Sequence, residues 1–228
     1  MKLANPIAVC CATFVVASFF ADSANAQTIL NGSLEGPVTV GNAPPNWFNW
    51  QKTPDTVDAL GPFNNTGTPW TLSPDGGTFV RAGGSDFANS EAFAQVVTGF
   101  TIGQSYTLNI FQTNLGFEHP TSGAWIGEVG NWEFAIDGSV VDATSLLTKQ
   151  ALPTDATVWS ADSLSFVATA TTHELAFISR SVDPLGLAAY MGIDGLRFQP
   201  VPSPSALPAL ALGGLAMMRR RRVASSKA

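Results

Sequence analysis

Between residues 27 and 198 the chain has no stretch of ten or more residues with the apolar spacing of a helix. Its apolar residues instead alternate with more polar ones over short runs, at residues 106–111, 132–137 and 173–178. Alternation with a period of two gives each strand one apolar and one more polar face, as strands packed in two sheets require. The sequence therefore predicts an all-β domain.

Further strands are predicted at residues 28–34, 78–82, 93–97, 163–168 and 191–198, which brings the number to about eight. Eight strands separated by turns rich in Gly, Pro, Asn and Asp are typical of a jelly roll or a related Greek-key β-sandwich. Residues 36–77 show little alternation and are rich in Pro, Asn, Gly and Trp. We expect them to form long loops packed over one end or face of the sandwich.

The first 26 residues have the pattern of a secretory signal peptide. A basic residue precedes an apolar run at residues 7–20, and residues 24–26 (Ala-Asn-Ala) supply the small residues that signal peptidase reads. Cys10 and Cys11, the two cysteines of the chain, both lie in this segment. The exported protein, beginning with a β-sandwich domain at residues 27–198, is therefore expected to have no thiol and no disulfide.

The last segment, residues 199–228, combines a proline motif, a short apolar run at residues 206–218 and a basic cluster. The motif consists of Val201, Pro202, Ser203 and Pro204, and the basic cluster of Arg219, Arg220, Arg221 and Arg222. An apolar helix of this length reaches roughly 20 Å, against a hydrocarbon core of about 30 Å, so it makes a marginal anchor. The arginines place its end in the cytoplasm and the domain outside.

Together with the N-terminal signal, this layout resembles the PEP-CTERM sorting tail of Gram-negative bacteria. The resemblance implies an inner-membrane precursor, processing near the proline motif by an exosortase-like enzyme, and release to the cell surface or extracellular matrix. Ser203 stands where that family usually has Glu. The alternative is a plain short anchor that keeps the protein in the inner membrane.

The charge of the domain is strongly acidic. Residues 27–198 contain sixteen acidic and five basic side chains, a net charge of −11. A domain of that charge repels phosphate backbones, which argues against nucleic acid as a partner. It also disfavours anionic polymers, so a neutral glycan is the better candidate for a polysaccharide ligand.

Several fragments, in this order, resemble the galactose-binding-like jelly rolls of exported bacterial proteins. They are residues 31–35 (NGSLE), 45–47 (PNW), 53–55 (TPD), 73–80 (SPDGGTFV), 95–100 (QVVTGF), 103–108 (GQSYTL) and 193–198 (IDGLRF). In such domains an early Asn-Gly-x-x-Glu turn and a late acidic residue can hold a structural calcium ion. The resemblance therefore implies a calcium site at Asn31, Glu35 and Asp194, although Gly195 stands where a second acidic residue is common. In the alternative interpretation, Asn31 and Asp194 only cap turns.

Catalytic motifs are absent from the sequence. It has no G-x-S-x-G elbow, no H-E-x-x-H and no phosphate-binding glycine loop. His173 is expected to be a packing residue on the apolar side of its strand. Glu133 and Asp137 would lie about 13 Å apart along a strand, farther than the roughly 5–9.5 Å of glycosidase carboxyl pairs. We therefore expect no enzymatic activity.

Aromatic residues in the loops indicate a carbohydrate ligand. Exported jelly rolls bind glycans by stacking a sugar ring on an aromatic side chain while polar groups bind the hydroxyls. The candidate stacking residues are Trp47, Trp50, Trp70 and Trp125, and the candidate polar partners are Asp75, Arg81, Asn114, Glu118 and His119. Each of these tryptophans could equally fill the core under a long loop.

The resulting hypothesis is an exported, non-catalytic envelope or matrix protein that binds polysaccharide. The second hypothesis is a structural surface protein that acts by self-association or protein contacts and has no sugar site. A polysaccharide-degrading enzyme is the third.

Overall fold

The structure is a computed structural model of the 228-residue chain, and it describes residues 27–63, 69–85, 87–119 and 121–200. The predicted signal peptide and the sorting tail from Val201 onward lie outside the described residues. Within the described part, no helix is long and apolar enough to span a bilayer.

The described residues form twelve strands and one short 3₁₀ turn at Phe87–Asn89. The strands are β1 (Phe48–Gln51), β2 (Asp55–Val57), β3 (Phe79–Gly84), β4 (Ala92–Thr98), β5 (Ser105–Asn114), β6 (Phe117–Glu118), β7 (Trp125–Ile126), β8 (Gly130–Ile136), β9 (Ser139–Ala143), β10 (Ser160–Val167), β11 (Thr172–Ser181) and β12 (Ala189–Phe198).

Two antiparallel five-stranded sheets make up the domain. The first sheet has the order β1-β4-β11-β8-β9, the second has the order β10-β5-β12-β3-β2, and β6 and β7 form a separate hairpin. The predicted all-β sandwich is therefore confirmed. The strand number exceeds the expected eight because β1, β2, β6, β7 and β9 are too short to show a clear alternation.

One predicted strand, residues 28–34, is wrong. This segment is a turn in which Asn31 and Leu34 adopt positive φ angles of 52° and 51°. The Leu34 N–H donates to the Asn31 carbonyl oxygen at 3.1 Å and closes the turn. Positive φ is incompatible with a strand, so the apolar residues of this segment reach the core without joining a sheet.

The core lies between the sheets and uses the apolar face of each alternating strand. Trp132 and Phe134 of β8 are fully buried beside Phe93 and Phe177, and the Phe177 ring stacks 5.3 Å from both phenylalanines. The Trp132 indole N–H crosses to the second sheet and donates to the Gly192 carbonyl oxygen at 3.1 Å. The inward face predicted from the alternation is therefore the observed one.

A second apolar cluster covers the outer face of the second sheet. Val57, Phe79 and Leu115 of the sheet region pack with Trp70, and Phe63 packs against them. Trp70 and Phe63 belong to the segment at residues 36–77, which therefore does cover one face, but the expectation of loops throughout is wrong because the segment also forms β1 and β2. The outer face of this sheet is thereby covered at β2 and β3.

At one side of the sandwich, aspartates close the gap between the edge strands β9 and β10. Asp142 of β9 accepts the Ser165 N–H of β10 at 2.7 Å. Asp162 of β10 accepts the Ser145 N–H, just beyond β9, at 2.7 Å, and the Gln112 side-chain amide at 2.9 Å. Carboxylates thus occupy edge donors that could otherwise pair with another chain.

We expect Asp162→Ala to lower the free energy of unfolding by about 1–3 kcal/mol, because it leaves the donors of Ser145 and buried Gln112 with fewer acceptors. Urea denaturation of the full chain measures the change. Asp155→Ala is the control, since Asp155 accepts one exposed turn N–H from Leu152; its effect should stay near about 0.5 kcal/mol. Equal losses in the two variants would contradict the role of Asp162.

Candidate functional site

Two of the tryptophans predicted to stack on sugar are buried instead. Trp47 is 7% exposed and packs edge-on against Phe93, with ring centroids 5.0 Å apart. Trp70 is 6% exposed and packs on Phe79. Neither ring presents a face to solvent, because both fill the core beneath the loops that carry them. Their assignment as sugar contacts is therefore corrected.

Trp50 and Trp125 remain partly exposed but lie on different parts of the domain. The Trp50 indole N–H donates to Glu174 at 2.6 Å on the outer face of the first sheet. Trp125 stands opposite Glu118 in the β6–β7 hairpin, and its indole N–H donates to the Gln150 carbonyl oxygen at 2.9 Å. Of the two, only Trp125 lies near other predicted ligand residues.

The β6–β7 hairpin brings Glu118 and Trp125 together and places His119 at its turn. His119 is exposed, and its Nδ1 accepts the backbone N–H groups of Thr121 and Ser122 at 3.3 Å. Asn114, just before the hairpin, is buried. Its amide donates to the carbonyl oxygens of Glu128 and Leu147 at 2.8 and 3.0 Å, so Asn114 anchors loops and is not available to a ligand.

Arg81 points away from the core because its neighbours in β3, Val80 and Ala82, face inward. Its guanidinium pairs with Asp55 of β2 at 2.9 Å, and the two residues are only 4% and 3% exposed. Burial lowers the pKa of Arg81, while the Asp55 charge raises it. The predicted sugar-binding arginine is therefore a buried cation held by a carboxylate.

Three partly exposed rings surround this guanidinium. The centroids of Phe63, Tyr190 and Phe117 lie 4.0, 5.1 and 5.4 Å from the Arg81 Cζ atom. These distances are those of cation–π contacts, which hold a guanidinium against aromatic faces. The rings come from the covering loop, from β12 and from the hairpin.

Glu91 completes the group, just before β4. Its Oε2 accepts the Gly83 N–H at 2.5 Å and its Oε1 accepts the Thr53 hydroxyl at 3.3 Å. Burial raises the pKa of the Glu91 carboxyl, and the hydrogen bond from Gly83 opposes that rise. Burial likewise raises the pKa of the Tyr190 phenol.

We call this group the Arg81 cluster; it consists of Asp55, Phe63, Arg81, Glu91, Phe117 and Tyr190. Sequence reasoning found only Arg81. The adjacency of Phe117 to the predicted Glu118 was a usable signal, whereas nothing in the sequence linked Asp55, Phe63, Glu91 and Tyr190, which come from separate segments.

An open cleft of about 660 Å³ lies over β8, the end of β11 and the loop at residues 182–186. Its walls carry polar side chains, among them Asn131, Asp183 and the Glu133–Arg180 ion pair, whose N–O distance is 3.0 Å. Ser85 also lines the cleft and follows Gly83 by two residues, a separation of at most about 7 Å along the chain. One edge of the cleft is therefore close to the end of β3, while its other walls come from the first sheet and the loop after β11.

The proposed calcium residues are brought together in part. The Gly32 carbonyl oxygen accepts the Leu196 N–H at 2.7 Å, so the early turn does lie beside the end of β12. Asp75 is there as well, paired with Arg197 at 2.6 Å and away from the Arg81 cluster. Asp194 is fully buried and accepts the Ser73 hydroxyl and the Gly195 N–H.

Asn31 does not fit a ligand role through its side chain. Its Oδ1 accepts the Glu35 N–H at 3.0 Å, and its amide donates to the carbonyl oxygens of Glu35 and Pro45. Among the described residues, no group of three or more His, Cys, Asp or Glu side chains is arranged to hold a metal ion. The Asp194 and Glu35 carboxylates supply the hard oxygen donors that calcium prefers, so the site stays a prediction for these two residues.

The second histidine is engaged in packing, as expected. His173 is 1% exposed, and its Nδ1 lies 2.6 Å from Asp137 Oδ2. Its Nε2 accepts the N–H groups of Thr169 and Ala170 at 3.1 Å. Both ring nitrogens are therefore occupied by the fold.

No protein-family model and no curated protein matches the chain. Several solved structures do match the chain. A cyclase from Fischerella sp. TAU is 14% identical, with a TM-score of 0.52 over 77% of this chain and 97% of that one. The Stig cyclase Fisc from the same source is 12% identical, with a TM-score of 0.50 over 77% and 98%. Identities this low show the shared β-sandwich fold alone.

A sugar-binding protein, the EclA C-terminal domain, is also among the similar structures, at 18% identity over 57% of this chain and 89% of that one. Its TM-score of 0.32 is too low to support an inference about this chain. Because the two cyclases are enzymes, the expectation of a non-catalytic protein stays a prediction.

The burial of Asp194 predicts that the stability of the fold depends on pH. Burial raises its pKa from 3.8 to about 7, with the Asp75 and Glu35 charges adding to the rise against the hydrogen bonds from Ser73 and Gly195. The folded state then binds the proton more tightly than the unfolded state. The contribution of Asp194 to the free energy of unfolding is therefore greatest below about pH 4, and it is lost as the pH rises to about 7.

Urea denaturation in a chelator should therefore show an unfolding free energy that falls over this interval, by at most about 1.4 kcal/mol per pH unit from this group. Asp194→Asn should flatten that part of the profile; an unchanged slope would contradict the assignment. The same measurement in excess calcium tests the metal, because a bound ion would favour the carboxylate and abolish the fall. An identical profile with and without calcium would contradict the calcium site.

Proposed function

We propose that the protein is an exported β-sandwich that binds polysaccharide without turning it over, with the Arg81 cluster as its binding site. The observation that carries the proposal is the set of three partly exposed rings, Phe63, Phe117 and Tyr190, around one buried cation. A planar ring offers the apolar surface on which a sugar face stacks. The Glu91 carboxylate beside the rings offers an acceptor for hydroxyl groups.

The rings are held in place before any ligand arrives. Phe117 packs on Tyr190 with centroids 5.0 Å apart, and Phe63 packs on Phe117 at 6.3 Å. The buried Arg81–Asp55 pair fixes the rings from below, so little side-chain entropy is lost when a sugar binds.

We expect Phe117→Ala to weaken binding of a polysaccharide ligand about fivefold, because one stacked ring contributes on the order of 1 kcal/mol. Affinity electrophoresis of the full chain in gels that contain neutral polysaccharides identifies a ligand, and titration calorimetry measures its affinity. Trp125→Ala tests the sequence-predicted ring on the hairpin in the same way.

Trp50→Ala is the matched control, since Trp50 is a partly buried ring on the other sheet. Binding that is equally weakened in the Trp50 and Phe117 variants would place the loss in the fold and contradict the site. Release of reducing ends from the bound polysaccharide would move the protein to the enzyme class. Concentration-dependent assembly without any glycan binding would favour the structural alternative.

Sorting through the PEP-CTERM-like tail is the second part of the proposal. It rests on the sequence layout of the signal peptide, the proline motif at Val201–Pro204 and the arginine cluster at Arg219–Arg222. An exosortase-like enzyme would process the inner-membrane precursor and release the domain to the surface or matrix.

Intact mass and fractionation of the native protein test this sorting. We expect the mature form to lack the first 26 residues and the four arginines, and to leave the inner membrane. Replacement of Pro202 and Pro204 by Ala should trap the tail-bearing precursor in the membrane fraction. An intact tail on the unmodified protein, found in the inner membrane, would identify a plain anchor.

A further inference from the structure

The Arg81 cluster has an excess of negative charge. The Arg81 guanidinium is neutralised by Asp55 at 2.9 Å, and both groups are buried. The Glu91 carboxylate remains, with only neutral donors, the Gly83 N–H and the Thr53 hydroxyl, bonded to it. Among the described residues, no ion pair involves Glu91. The Arg81 charge acts on Glu91 without a direct ion pair, so this partly exposed carboxylate is suited to a positively charged ligand group.

Gly83 leaves room beside this carboxylate. A Cβ atom at Gly83 would lie 3.5 Å from Glu91 Oε2 and 3.4 Å from Tyr190 Cε1, both ordinary contact distances. The carboxylate and the Tyr190 ring therefore both border the position that a Cβ atom at Gly83 would occupy. A group that enters it meets a negative charge on one side and an aromatic ring on the other, which is the environment of a bound ammonium.

Arg81 adds an unused donor. Its Nε atom is buried and has no hydrogen-bond partner in the part of the chain that the structure describes. A buried donor without an acceptor is costly, so a ligand oxygen that reaches it would be favoured. The cluster thus combines a partly exposed acceptor for a cation with one buried donor.

On the basis of the proposed polysaccharide binding, we infer that the preferred ligand is a polymer of amino sugars with free, protonated amines. The ammonium group binds Glu91 beside the Tyr190 ring. The net charge of −11 on residues 27–198 attracts such a polycation to the domain at long range. An N-acetylated sugar lacks the charge, and a uronic acid has the wrong sign.

The test compares three β-1,4-linked hexamers of equal length by titration calorimetry with the full chain: glucosamine, N-acetylglucosamine and glucose. We expect the glucosamine hexamer to bind at least about tenfold more tightly than the other two. Glu91→Gln should remove most of this preference. Gly83→Ala, which has space for its methyl group in the fold, should weaken the glucosamine hexamer selectively.

Glu174→Gln is the matched control, because it changes the net charge equally and its carboxylate bonds a tryptophan on the other sheet. An equal loss in Glu174→Gln and Glu91→Gln would show general electrostatic attraction and overturn the inference. Equal binding of all three hexamers, weakened by Phe117→Ala, would overturn it while leaving the proposed function intact. Absence of binding to every hexamer and to every neutral polysaccharide would overturn both. Melting temperatures of the variants verify that each one is folded.

Discussion

The contact between the inner faces of the two sheets is the interaction on which the rest of the structure depends. Phe93, Phe134 and Phe177 of the first sheet stack in a row, and Trp132 donates a hydrogen bond to Gly192 of the second sheet. Burial of each of these rings contributes roughly 2 kcal/mol. Because side chains alternate along a strand, committing one set of residues to this core also decides which residues face outward.

On the outer face of the second sheet, loops cover the residues of β2 and β3 that point away from the core. Phe79 is buried under Trp70, and Arg81 is buried with Asp55 beneath aromatic rings. A buried ion pair is costly to desolvate, so it persists only with close geometry and good surroundings. That geometry joins β2, β3 and the covering loop, and it holds the rings that make the candidate site.

The sequence anticipated parts of this site and missed others for a physical reason. Arg81 was among the polar residues predicted to bind a sugar, and Trp125, which was predicted to stack on one, lies on the hairpin next to the cluster. Tyr190 and Glu91 meet only because β12 pairs with β3, an arrangement that no local pattern encodes. Trp47 and Trp70 look the same in sequence as exposed loop tryptophans, but packing beneath the loops buries them.

The sequence by itself determined the fold class and the inward faces of the longer strands, because alternation with a period of two is a local property of the chain. It also determined the acidic charge of the domain. The tertiary structure alone decided the partners: Arg81 with Asp55, 26 residues apart, and Ser73 with Asp194, 121 residues apart. Such pairs depend on the order of strands in a sheet and on the path of the covering loops, which hydrophobic alternation leaves open.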